Sequence, residues 1–171
     1  ELAEALGVDI AGCTRREREE KLVVAAYEAW GEQMGVHING QFGIALYDTE
    51  TRGLFCTRDI LGAELFFYYA TRGGQLLYGN RIRDLMDQPG FECELDERII
   101  QRYLGFNYVP GEETLFKHVY KLEPGGYLRF GKDGLKLGRY WELSFEPDES
   151  KTLDQWADEL EEAMDASMAC I

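Results

Sequence analysis

The chain of 171 residues is 45% hydrophobic and carries a formal net charge of −14, from 18 basic and 32 acidic residues. That length supports one full hydrophobic core and is too short for two domains that each have a core of their own. The acidic balance, without a long basic cluster, argues against nucleic acid and anionic membrane surfaces as partners. No apolar run approaches the length of a membrane span and the first residues do not resemble a signal peptide, so we expect a cytoplasmic protein.

The first part of the chain predicts two helices followed by a hairpin. A short helical pattern covers residues 2–6, and a longer one covers residues 14–30, with an apolar stripe that includes Ala26. Residues 39–59 then form two apolar runs around a polar loop, which predicts a β-hairpin. In its first strand, large side chains alternate with small residues such as Gly43. We therefore expect burial on both faces of this strand, at the centre of a layered domain.

The second part of the chain predicts further hairpins interrupted by short helices. Asn80 and Asp96 each precede a helical pattern as a capping residue, and residues 114–143 return to sheet. A polar loop over residues 146–150 precedes a last helix, which begins with a capping box at Thr152. The inward face predicted for the helix after Asp96 consists of Ile99, Ile100, Tyr103 and Leu104. Strands in hairpins without β-α-β alternation indicate an α+β fold with antiparallel sheets.

The cysteines and histidines are not arranged for metal or redox chemistry. No Cys-x-x-Cys pair is present, and His37 and His118 have no second ligand at metal spacing. We therefore expect reduced thiols and no metal site. The cysteines are Cys13, Cys56, Cys93 and Cys170.

Several blocks of residues, in a fixed order, carry a family resemblance. They include Phe-Gly-Ile-Ala-Leu-Tyr-Asp at 42–48, Arg-Asp-Ile-Leu-Gly at 58–62 and Leu-Glu-Pro-Gly-Gly at 122–126. Further blocks lie at residues 22–31, 107–111 and 114–116. Together they resemble the asparagine synthetase family, which are glutamine-hydrolysing, ATP-dependent amide ligases. Their N-terminal half is a class II glutamine amidotransferase domain of the Ntn hydrolase type. The resemblance therefore implies a four-layer sandwich of antiparallel sheets between helices, incomplete in this chain.

The resemblance also implies how the chemistry is divided. In the family, the N-terminal residue of the mature protein is a cysteine, which attacks the side-chain amide of glutamine. Ammonia then passes to a second domain, in which ATP activates a carboxylate. That cysteine, a carboxylate-binding arginine and an oxyanion Asn-Gly pair all precede the helix matched by residues 2–6. Asn39-Gly40 is a different pair, and Cys13 falls in a loop after the family position. We therefore assign no catalytic residue and expect this chain to be inactive alone.

One substrate contact carries over from the resemblance. The family aspartate that takes the α-amino group of glutamine matches Glu19, counting back from Tyr27. Glutamate keeps the charge, but Lys21 stands where the family often has an acid. Glu19 is therefore predicted to bind glutamine, with an exposed acid on a charged helix turn as the alternative. The adjacent charges of Arg58 and Asp59 are predicted to form a structural ion pair rather than a catalytic one.

The resemblance divides the chain into two parts. Residues 1–145 are predicted to be a type 2 glutamine amidotransferase domain, N-terminally incomplete, and residues 146–171 a linker and lead-in helix. That helix would lead to an ATP-dependent synthetase domain, in cis or on a separate chain, where ATP and magnesium are expected. Glutamine is the expected substrate, and the family also allows a homodimer. Two alternatives are a non-catalytic scaffold or regulatory domain of a ligase, and a freestanding binding module.

Overall fold

The computed structural model describes residues 2–169, and its α-helices lie close to where the sequence predicts them, whereas its 3-10 helix is not predicted by the sequence. They are α1 (Leu2–Ala5), α2 (Arg15–Trp30), a 3-10 helix (Gly31–His37), α3 (Ile82–Met86), α4 (Glu97–Phe106) and α5 (Leu153–Met168). Capping boxes at Thr14 and Thr152 start α2 and α5, and each confirms the predicted beginning of its helix. Gly31 ends α2 with a φ of 55°, which favours glycine at this position.

Within the described residues, seven strands form two antiparallel sheets. They are β1 (Gly43–Asp48), β2 (Gly53–Arg58), β3 (Phe67–Ala70), β4 (Leu76–Gly79), β5 (Val119–Lys121), β6 (Gly126–Gly131) and β7 (Gly134–Arg139). The first sheet has the order β1-β2-β6-β7 and the second the order β4-β3-β5. Every neighbouring pair is antiparallel, which confirms the α+β fold predicted from the hairpin signals.

The two sheets lie face to face between helices, so that the domain has four layers. Ala26 of α2 belongs to the same core cluster as Phe55 of the first sheet. On the other face of that sheet, Leu128 packs with Tyr68 of the second sheet. Tyr69, the next residue along the strand, faces the opposite way and packs with Leu85 of α3. The order helix, sheet, sheet, helix confirms the sandwich that the family resemblance implies.

The strand predicted to lie at the centre of the domain is an edge strand. β1 pairs with β2 alone among the described strands, and Gly43, Ala45 and Tyr47 along one of its faces are exposed. The second sheet instead covers β2 and β6, whose residues Cys56 and Leu128 are completely buried. The prediction of burial on both faces is therefore wrong for β1. The buried strand of this hairpin is its partner β2, whose last four residues are all buried.

Of the two predicted capping residues, Asp96 of α4 is confirmed and Asn80 of α3 is wrong. The carboxylate of Asp96 accepts a hydrogen bond from the backbone N–H of Arg98 at 3.0 Å and caps α4, as predicted. α3 begins one residue later than predicted, after Arg81, so Asn80 is not its N-cap. The side chain of Asn80 is thereby available for another role.

The inward face predicted for α4 is largely exposed. Of its four residues only Ile99 is buried, at 1% exposure, whereas Leu104 is 73% exposed. The physical reason is that α4 is attached to the rest of the fold at its N-terminus. There the backbone N–H of its N-cap, Asp96, donates to the carbonyl of Leu115 at 2.9 Å. The C-terminal half of α4 therefore projects from the second sheet with its apolar side chains in solvent.

The cysteines of the described chain are free thiols at different depths. Cys13 is half-buried, Cys56 is buried and Cys93 is exposed, while Cys170 lies outside the described residues. Burial raises the pKa of the Cys56 thiol. Between residues 2 and 169 no helix is long and apolar enough to cross a membrane.

The ion pair at the start of α4 leads to a prediction about acid titration. Nη2 of Arg98 donates to Oδ2 of Asp96 at 2.7 Å, and this contact lowers the pKa of Asp96 to about 2. Because the unfolded-state value is about 3.9, the resulting stabilisation is complete above about pH 4 and is lost as the pH falls through about 2. We expect a carboxyl-carbon NMR titration to give about 2 for the wild type and a clearly higher value for Arg98→Gln. Equal values in the two proteins would contradict this assignment.

Candidate functional site

A groove of about 650 Å³ lies between the start of α2 and one edge of each sheet. Its walls come from the first half of α2, residues 38–45, residues 64–66 and residues 78–80. β1 and β4 are edge strands of the two sheets, so the groove follows the side on which neither sheet is continued by a further described strand. Because ligand sites are generally concave and combine apolar walls with a few polar groups, this groove is the candidate functional site.

The first half of α2 gives the groove a wall that is both charged and apolar. Arg15, Glu19, Leu22 and Val23 line it. Their spacing of three to four residues places them on one face of the helix. The capping box between Thr14 and Glu17 fixes where the helix begins and therefore which side chains this face presents.

Glu19, the predicted glutamine-binding residue, presents its carboxylate at the groove in a pair with Arg15. Nε of Arg15 donates to Oε1 of Glu19 at 2.8 Å, and the two side chains are 92% and 60% exposed, respectively. The hydrogen bond raises the pKa of Arg15. Exposed pairs of this kind are weak, since water screens them and long side chains lose entropy in forming them. A ligand ammonium group can therefore replace Arg15 as the partner of the Glu19 carboxylate.

The neighbouring pair Arg16 and Glu20 provides an internal comparison. Its Nε to Oε1 distance is also 2.8 Å, and its side chains are 89% and 61% exposed. Neither residue lines the groove. The two glutamates thus have nearly the same local chemistry and differ in whether they face the groove.

Lys21, which stands where the family resemblance implies an acid, does not line the groove. Its Nζ donates to the carbonyl of Asp9 at 3.4 Å and to Sγ of Cys13 at 3.2 Å. The contact with Cys13 raises the pKa of Lys21. The lysine charge is thus directed at the loop before α2, so it does not compete with a cationic ligand group beside Glu19.

Further polar side chains reach the groove from segments far away in sequence. Gln41 lies before β1, Glu64 lies before β3 and Asn80 follows β4. Sequence patterns gave Asn80 only a capping role and gave the other two none, because it is the stacking of the two sheets that brings these segments together. An amide or carboxylate at each of these positions can hydrogen-bond a polar ligand.

Among the described residues, the groove is lined by groups that can bind a ligand and by no cysteine. Cys13 precedes α2, Cys56 is buried between the sheets and Cys93 lies between α3 and α4, so none of the three lines the groove. Residues 2–169 contain no group of three or more histidine, cysteine, aspartate or glutamate residues that could hold a metal ion. This part of the chain gives the groove the Glu19 carboxylate on α2, the side-chain amides of Gln41 and Asn80, and an apolar wall.

The predicted ion pair between Arg58 and Asp59 is wrong. Among the described residues the two side chains do not pair with each other, and each instead binds backbone groups of the loop before β3. Burial opposes ionisation of Asp59, but hydrogen bonds from backbone N–H groups outweigh it and lower the pKa of the carboxyl. The loop that they hold includes Glu64 and Leu65 of the groove wall.

Comparison with known proteins decides the family. A profile of the family described as a glutamine amidotransferase domain matches residues 11–141. The chain belongs to this family. The match runs from the loop before α2 to two residues beyond the end of β7, and therefore includes Glu19 and most of the groove. It ends four residues before the boundary predicted at residue 145, and that boundary remains a prediction.

Several curated relatives of this amidotransferase domain are asparagine synthetases. A putative asparagine synthetase (glutamine-hydrolyzing) of Mycobacterium tuberculosis is 37% identical over 115 residues, which are 66% of this chain and 18% of the relative. Asparagine synthetase (glutamine-hydrolyzing) 3 of Bacillus subtilis is 31% identical over 133 residues, or 77% of this chain and 21% of the relative. Amidase chry2 of Gibberella zeae is 27% identical over 126 residues, or 73% of this chain and 18% of the relative. The chain thus spans roughly a fifth of the length of these proteins.

Proposed function

We propose that the groove binds glutamine and that this domain supplies ammonia to an ATP-dependent amide ligase of the asparagine synthetase type. The observation that carries the proposal is the Glu19 carboxylate at the groove of a glutamine amidotransferase domain. Glutamine has an α-ammonium group, an α-carboxylate and a side-chain amide. A carboxylate partner for the ammonium group is therefore the first requirement of a glutamine site.

The reaction in this proposal is hydrolysis of the side-chain amide, in which glutamine and water give glutamate and ammonia. Glu19 accepts hydrogen bonds from the α-ammonium group, which takes the place of the Arg15 guanidinium. The amides of Gln41 and Asn80 offer hydrogen bonds to the rest of the substrate. None of Cys13, Cys56 and Cys93 lines the groove, so none of them acts as the nucleophile in this reaction.

The ligase activity belongs to the proposal for the whole protein. The segments matched by this chain make up only 18% and 21% of these two relatives. We place ATP, magnesium and the acceptor carboxylate in a synthetase domain, in the same polypeptide or on a partner chain, with residues 146–171 as the connection to it. A cytoplasmic location and a homodimer complete the proposal.

A second candidate function is that of a non-catalytic scaffold or regulatory domain of a ligase. The observation that favours it is the Arg15 to Glu19 pair, in which the carboxylate already has a cationic partner from its own helix. In that case the groove would bind no amino acid and Glu19 would be an exposed surface acid.

Ammonia release by the full-length protein separates the two functions. We expect release of ammonia from glutamine, and ligase turnover with either glutamine or free ammonia as the nitrogen source. Ligase turnover with free ammonia but none with glutamine would contradict the amidotransferase proposal and support the scaffold. Asparagine in place of glutamine serves as the control substrate, since it keeps the α-amino acid group and shortens the chain to the amide.

A further inference from the structure

One wall of the groove is a loop without regular secondary structure. Residues 59–66 connect β2 to β3, and Glu64, Leu65 and Phe66 line the groove. A wall of this kind keeps its shape only when its backbone groups are bound by other parts of the protein. In this domain two buried charged side chains, Arg58 and Asp59, bind them.

Arg58 holds the carbonyl groups of the loop. It is 5% exposed, and its guanidinium donates to the carbonyls of Gly62 and Glu64. A third hydrogen bond, from Nη1 to the carbonyl of Leu122 at 2.7 Å, ties the same guanidinium to the segment after β5. Gly62 has a φ of 65°, and a Cβ there would lie 2.9 Å from Nη2 of Arg58, so only glycine fits this contact without strain.

Asp59 holds the N–H groups of the same loop. It is 2% exposed; Oδ1 accepts from the backbone N–H groups of Leu61 at 3.2 Å and Ala63 at 2.9 Å, and Oδ2 accepts from that of Glu64 at 3.0 Å. Hydrogen bonds from N–H groups to a buried carboxylate are stronger than those between neutral groups. Arg58 and Asp59 together thus bind both the donors and the acceptors of one short loop.

The backbone of these two residues is itself fixed to the rest of the fold. The hydroxyl of Tyr140 donates to the carbonyl of Arg58 at 2.6 Å. The N–H of Asp59 donates to the carbonyl of Phe42 at 3.0 Å, and Phe42 also lines the groove. The N–H of Gly125 donates to the carbonyl of Asp59 at 3.0 Å. The loop is therefore held from a rigid base that joins two parts of the groove wall.

We propose that Arg58 and Asp59 are positioning residues for the glutamine groove. Neither side chain lines the groove, and they act through Glu64 and Leu65, whose backbone they hold. This inference rests on the proposed function, because it takes glutamine as the occupant of the groove. The position of the wall then sets how tightly glutamine binds.

The test is Asp59→Asn in the full-length protein, with Thr57→Val as the matched control. Asparagine keeps the size of the side chain but replaces one acceptor oxygen by an NH₂ group, so at least one loop N–H loses its partner. Thr57 is equally buried two residues away, and valine removes its hydrogen bond to the carbonyl of Gly126 without touching the loop. We expect KM for glutamine to rise about tenfold in Asp59→Asn, with kcat little changed, and to stay at the wild-type value in Thr57→Val.

Amide hydrogen exchange of residues 61–64 provides a second readout that does not depend on glutamine. We expect faster exchange there in Asp59→Asn than in the control. Faster exchange with an unchanged KM would overturn the inference, and so would equal rises of KM in both variants, which would reflect general destabilisation. A wild-type protein that neither binds nor hydrolyses glutamine would overturn the proposed function first, and this inference with it.

Discussion

Replacing Glu19 by glutamine in the full-length protein is expected to raise KM for glutamine about tenfold to a hundredfold, the range for losing a hydrogen bond to a charged group. The change keeps the shape of the side chain and removes the charge that, in the proposed function, pairs with the α-ammonium group of the substrate. Because this contact is the same in the ground state and the transition state, kcat should change little. Steady-state rates of ammonia release over a range of glutamine concentrations measure both constants.

Glu20→Gln is the matched control for this experiment. It removes the same charge from an i, i+4 pair of equal length and nearly equal exposure, one residue further along α2 and outside the groove. KM should stay within about twofold of the wild-type value, as for an exposed pair of little energetic weight. Equal effects of the two substitutions would show that Glu19 acts only through the net charge of the helix, and would remove it from the binding site.

Phe55→Ala is expected to lower the free energy of unfolding of the 171-residue chain by about 3–5 kcal/mol. Phe55 is 1% exposed and lies between α2 and the first sheet, with its ring centroid 4.9 Å from that of Tyr27 and 5.9 Å from that of Tyr127. Alanine would leave a cavity between two layers that cannot close without moving the helix. Urea unfolding followed by circular dichroism and fluorescence measures the loss.

Phe106→Ala is the control for this second prediction. The same substitution is made in a side chain that is 62% exposed, at the end of α4. The expected change is below about 1.5 kcal/mol, because the exposed ring makes only an edge-on contact with Tyr108, with the ring centroids 6.2 Å apart. A loss for Phe106 as large as that for Phe55 would mean that the outer face of α4 is covered, in contradiction of the four-layer arrangement described above.

Local features of the fold could be predicted from the sequence because neighbouring residues determine them. The capping boxes at Thr14 and Thr152 fix the starts of α2 and α5 through contacts that span only three residues. Strand order could not be predicted in the same way. β1 became an edge strand because β2 pairs on its other side with β6, about 70 residues later, and the alternation within β1 carries no information about that partner.

The candidate site was predictable only in part, for a related reason. Glu19 was singled out because a family resemblance fixed its position relative to Tyr27; it does line the groove, and its role in binding stays a prediction. The positions of Asn80 and Glu64 in the groove could not be predicted, because they depend on how the two sheets stack and not on neighbouring residues. The error about Arg58 and Asp59 had a signal in the sequence: consecutive residues at the end of a strand project to opposite faces, so adjacent opposite charges there are poorly placed to pair.

A crystal structure of the full-length protein with glutamine bound tests the central claim most directly. We expect the α-amino nitrogen of glutamine within about 3 Å of the Glu19 carboxylate, with the Arg15 side chain released and the loop at residues 60–65 in its present position. Glutamine bound elsewhere, with the Arg15 to Glu19 pair intact, would contradict the assignment of this groove as the glutamine site.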